Sequence, residues 1–76
     1  MLGDKEYFNL ILSEINNRYY RNRCAVVNIL ADLLTNENYV SVKTALTERL
    51  KVEKANSVIS SINKVILFIE DNFHNL

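Results

Sequence analysis

Apolar residues in the stretch 54–73, KANSVISSINKVILFIEDNF, recur at steps of three and four: Val58, Ile59, Ile62, Val65, Ile66, Ile69 and Phe73. At about 100° per residue these positions fall inside a wedge of roughly 120°, one face of a helix. Ser60, Ser61, Asn63, Lys64, Glu70 and Asp71 lie outside the wedge, so the pattern predicts an amphipathic helix over 54–72. The β-branched residues, VILFI above all, would also suit a buried strand. A helix is favoured because the period persists for about twenty residues with no turn signal, whereas strands usually stop after about four to eight. Leu67 and Phe68 break the pattern. They project from the polar side and need a partner other than this helix's own core.

Three further helices follow from the same reading. Asp4 suits an N-cap and Glu6 the first turn, where a negative charge opposes the helix dipole. Tyr7, Phe8, Ile11 and Ile15 then form a stripe flanked by Leu10 and Leu12, and Asn16-Asn17 weakens the element, giving a helix over 4–17. The segment RYYRNR at 18–23 is either a connector or a continuation. With Asn22 as cap, a second helix over 22–35 carries Val26, Val27, Leu30, Leu33 and Leu34 on one face, with Ile29 at its edge. The alternative is one long helix bent near Asn22. The run Thr35-Asn36-Glu37-Asn38 is polar and of low helix propensity, and reads as a loop. Ser41 can cap a third helix over 41–51 with Val42, Ala45, Leu46 and Leu50 inward, after which the spacing falters around Lys51-Val52-Glu53. The expected fold is all-α, a compact bundle of about four helices in a single domain over 1–76.

Composition supports helices and narrows what can stabilise them. The chain has 76 residues, no proline and one glycine, Gly3, which disfavours hairpins and tight turns. A chain this short buries only about 60% of its unfolded surface, so small domains often rely on disulfides, a metal, oligomerisation or regular helix packing. Cys24 is the single cysteine and His74 the single histidine, which leaves no internal disulfide and makes a structural zinc site unexpected. Helix packing completed by dimerisation is what remains. Cys24 itself, beside Ala25, Val26 and Val27, reads as a small buried hydrophobe. The start MLGDKEYF lacks the features of a signal peptide and no apolar run is long enough to span a bilayer, so a soluble cytoplasmic protein without membrane contact is expected.

Catalysis finds little support. A general base or an activated nucleophile needs a partner within hydrogen-bond reach. His74 is the third residue from the end of the sequence and reads as a solvated tail residue. Glu70 and Asp71 are adjacent on a helix, so their carboxylates diverge by about 100°. Asp32, Glu48 and Glu53 read as charges on solvated faces. No phosphate-binding glycine loop, HExxH, CxxC or calcium-loop pattern occurs. The expectation is a protein that is not an enzyme and that uses neither cofactor nor metal.

Two binding functions compete. The first is a protein-protein interaction or inhibitor module, regulatory in role, that forms a homodimer through Leu67 and Phe68 and engages another protein. The intramolecular alternative is that the first helix or the tail through Leu76 covers the pair. The second function is nucleic-acid binding. Nine basic and nine acidic residues cancel, yet residues 18–64 hold eight of the basic ones against Asp32, Glu37, Glu48 and Glu53, leaving both ends acidic. Residues 41–66 have the outline of a helix-turn-helix, with Lys51 in place of the usual turn glycine and Ser57 where the first inward residue is expected, unless the register moves to Val58. Lys54 and Asn56 would make contacts there, with Ser57 and Ser60 on the same face, and Glu53 would oppose the backbone. Independently, Arg18, Tyr19, Tyr20, Arg21 and Arg23 combine arginine with aromatic rings, which suits phosphate contact and base stacking.

Overall fold

Residues 3–73 are described by the structure, a computed structural model. Helix α1 spans Asp4–Ser13 and tightens into a 3-10 turn, Glu14–Asn16; α2 spans Tyr20–Asp32, α3 Tyr39–Leu50 and α4 Asn56–Asn72. The fold is all-α, a bundle of these four helices among the described residues. Its Cα atoms fill 33 × 32 × 17 Å. The short dimension is about two helix layers thick, so every helix keeps an outer face.

The predicted stripes supply the core. Val58, Ile62, Val65 and Ile69 of α4 are buried, facing Val26, Val27 and Leu30 of α2 and Val42 and Leu46 of α3. Val58 rather than Ser57 is the first inward residue of α4, so the shifted register holds. Ile59, Ile66 and Phe73 flank the core half-buried, and Phe73 stacks on Tyr39 at 5.1 Å between ring centroids. Helix α1 is the least enclosed element: Phe8, Ile11 and Leu12 are half-buried, while Tyr7 and Leu10 are exposed. Ile15 is buried because the 3-10 turn after Ser13 carries it under α2.

The helix ends differ from the sequence expectation at several points, each marked by local hydrogen bonds. The first α-helix stops at Ser13, whose hydroxyl donates to the Leu10 carbonyl at 2.7 Å. Gly3 rather than Asp4 is its N-cap, with the Gly3 N–H donating to Glu6 Oε2 at 2.8 Å. The second helix starts at Tyr20, not after Asn22. Asn17 breaks the chain in an extended conformation, and its Oδ1 accepts the Tyr19 N–H at 2.9 Å and Asn22 Nδ2 at 3.3 Å. Hence 18–19 is a bend and 20–23 is helix. At the far end Asn38 organises the predicted loop: its Nδ2 donates to the Leu33 carbonyl at 2.9 Å and its Oδ1 accepts the Thr35 N–H at 2.8 Å. The third helix then begins at Tyr39, two residues before Ser41.

Candidate functional site

The break between α3 and α4 is where the chain concentrates its charge chemistry. Glu53 follows Arg49 by four residues, and the helical path ends at Leu50, so the Glu53 side chain turns inward instead of continuing a solvated face. Its carboxylate is fully enclosed and meets two guanidinium groups. Arg23 of α2 binds it through both oxygens, Nε to Oε1 at 2.7 Å and Nη2 to Oε2 at 2.8 Å. Arg49 Nε adds a third bond to Oε1 at 2.9 Å. Two backbone N–H groups, of Lys54 at 3.2 Å and Ala55 at 3.1 Å, donate to Oε2 and place the negative charge at the start of α4. That is the favourable end of the helix dipole. This arrangement also explains why α4 begins at Asn56 rather than 54.

The two arginines tie the remaining chain to the cluster. Arg23 Nη1 donates to the Asn17 carbonyl at 2.8 Å, and Arg49 Nη1 to Asn16 Oδ1 at 3.2 Å. Hydrogen bonds from Arg23, foremost, hold the Glu53 carboxyl at a pKa of about 2 against the opposing effect of burial; the Ala55 N–H and Arg49 add to them. Reciprocally, the bond to Glu53 raises the Arg23 pKa despite desolvation. A carboxylate offers about four lone-pair sites, and here five donors converge on it. Glu53 has no free acceptor site with which to take a substrate proton. Its role is to join α2, α3 and α4 at one end of the bundle.

This geometry corrects two sequence expectations. Glu53 is not on a solvated face and does not sit on a reading face with Lys54 and Asn56; it is buried. Arg23 is not available to a phosphate, because its side chain is only 11% exposed and engaged by Glu53 and Asn17. The other basic and aromatic candidates are exposed. Arg18 lies over the Tyr19 ring at 5.1 Å and Arg21 over the Tyr20 ring at 5.9 Å. Lys51 pairs with Glu48 on the surface at 3.3 Å, and Lys54 and Asn56 are open to solvent. The Arg23–Glu53 pair, together with a contact of 3.6 Å between Cys24 Sγ and Ser57 Oγ, holds the first turns of α2 and α4 side by side. Arg18, Tyr19, Tyr20 and Arg21 thus come to the same end of the bundle as Lys54 and Asn56. Cys24 is half-buried against the core rather than enclosed.

A second surface lies on the outer side of α4. Leu67 is 60% exposed and Phe68 49% exposed, so α1 does not cover them. Phe68 touches Phe73 edge-on at 6.4 Å between centroids. The tail from His74 to Leu76, the other intramolecular cover considered, lies outside the described residues, as does His74 itself. Asp32, Glu48, Glu70 and Asp71 are exposed, with Glu70 3.6 Å from Lys43 across α3 and α4. An open recess of about 540 Å³ between the start of α1 and residues 35–41 is lined by Asp4, Phe8, Thr35 and Asn38 among others. Among the described residues no three metal-ligating side chains cluster, and no helix is long and apolar enough to cross a membrane.

Taken together, these features define an all-α four-helix domain with an enclosed ionic cluster, an exposed Leu-Phe pair and a basic, tyrosine-bearing end. No protein-family model matches the chain, and neither a curated protein nor a solved structure matches it.

Proposed function

We propose that this chain is a small non-catalytic protein-interaction module, inhibitory or regulatory in role, that acts as a homodimer through the outer face of α4. The observation that carries this reading is the exposure of Leu67 and Phe68, adjacent large apolar residues on a helix whose opposite face is the core. Solvated apolar pairs on a domain this small favour contact with another surface. Covering one such pair at a two-fold interface contributes about 3 to 5 kcal/mol before ordering costs, comparable with the stability of a small domain. Sedimentation equilibrium tests it. Wild type should form a dimer, and the variant combining Leu67→Lys with Phe68→Lys should sediment as a monomer with unchanged helicity. A wild type that stays monomeric at high concentration removes the reading.

A second reading, nucleic-acid binding, is favoured because Arg18, Tyr19, Tyr20 and Arg21 lie at the same end of the bundle as Lys54 and Asn56. Enclosure of Glu53 between two arginines takes away the negative charge that the sequence set against this surface. Mobility shift at low salt, with mixed duplex and with single strands, is the measurement. Retardation should occur at protein concentrations on the order of tens of micromolar, weaken as salt rises, and be lost on combining Arg18→Ala with Arg21→Ala. Absence of any shift for wild type sinks this second reading and leaves the first intact.

A further inference from the structure

The outer strip of α4 is polar as well as apolar, and its polarity is ordered. Lys64 precedes Leu67 and Phe68 by three and four residues; Asp71 follows them by four and three. Lys64 and Asp71 thus fall between the directions of Leu67 and Phe68, which diverge by about 100°, so the four share one outer face of the helix, and all four are exposed. Among the described residues neither Lys64 nor Asp71 takes part in an ion pair, whereas the adjacent Glu70 is already turned to Lys43. Along the helix the strip reads positive, apolar, apolar, negative. Its charge pattern inverts about the midpoint between Leu67 and Phe68.

We infer that the strip is covered by a second copy of the chain, with α4 packed antiparallel on α4 and the two-fold axis passing between Leu67 and Phe68. The inference rests on the homodimer reading above and specifies its geometry. Under this axis Leu67 meets the partner's Phe68, and Lys64 meets the partner's Asp71, each contact occurring twice by symmetry. A parallel pairing would set Lys64 against the partner's Lys64 and Asp71 against the partner's Asp71, and like charges at such positions select against that arrangement. Charge complementarity thus names both the occupant of the strip and its direction.

The test is a charge-swap series on the full chain, read by sedimentation equilibrium at low salt with circular dichroism as a check on folding. Lys64→Asp alone and Asp71→Lys alone each create two like-charge contacts across the antiparallel interface, and each should weaken the dimer by about tenfold or more. Combining the two substitutions reverses the strip and restores both contacts, so the double variant should return to within about threefold of wild type. Added salt should shrink the differences. A dimeric wild type whose affinity neither single variant changes, or whose loss the double variant does not repair, overturns the antiparallel geometry while leaving the homodimer in place. A wild type that never dimerises overturns both.

Discussion

Glu53→Gln should remove about 3 to 5 kcal/mol of folding stability at neutral pH, the usual consequence of leaving buried guanidinium groups without their counter-charge. Arg23 and Arg49 have side chains only 11% and 16% exposed, so neither can turn to water without breaking its bonds to Asn17 or Asn16. Urea unfolding followed by circular dichroism measures the loss. Acid provides an independent check with a defined sign. The Glu53 pKa is depressed from 4.5 to about 2 on folding, so its contribution is fully present above the ordinary carboxylate range and fades as pH falls towards 2. The shift corresponds to about 3 kcal/mol. The gap between wild type and variant should therefore narrow steadily between about pH 5 and pH 2. A variant as stable as wild type at neutral pH would show that the cluster does not hold the helices together.

The second large effect belongs to the core. Ile62 is fully buried at the middle of α4, the helix that packs on both α2 and α3. Ile62→Ala removes apolar contacts and leaves a cavity that the thin bundle can close only in part, at a cost of about 2 to 5 kcal/mol. Domains of this length hold roughly 0.05 to 0.15 kcal/mol per residue, so the substitution should remove a large share of the total and lower the melting temperature by about 10 to 20 °C or more. Ile66→Ala, at a half-buried position on the same helix, should cost clearly less. Equal losses at the two positions would contradict the burial pattern.

These two sites mark the limits of what periodicity can reveal. Ile62 is legible because it sits within a stripe that repeats over about four helical turns, and burial of such a stripe needs no knowledge of its partners. Glu53 was not legible. Its burial depends on Arg23, thirty positions earlier, and on a helix that stops at Leu50. The local signal was the Arg49–Glu53 spacing of four residues spanning a point where the apolar period fails. Arg23 was misplaced for the same reason: within RYYRNR all three arginines look alike, and the fold alone turns one inward. The helix starts at Tyr20 and Tyr39 lie upstream of Asn22 and Ser41. Both residues have suitable side chains, yet Asn17 and Asn38, further upstream, had already organised the chain entries. In the first helix the pattern overstates burial, because Tyr7 sits at the margin of its stripe and stays exposed.

The length of α4 sets a distance between the two surfaces it carries. Asn56 stands about 17 Å along the helix from the midpoint between Leu67 and Phe68, at 1.5 Å per residue. Two copies joined antiparallel at that midpoint, as proposed above, would present their basic ends about 35 Å apart, close to one turn of duplex DNA and the half-site spacing of dimeric helix-turn-helix proteins. In such a dimer α4 would serve as a ruler, and the two proposed readings of this chain, as a self-pairing module and as a nucleic-acid binder, would be compatible in a single symmetric particle.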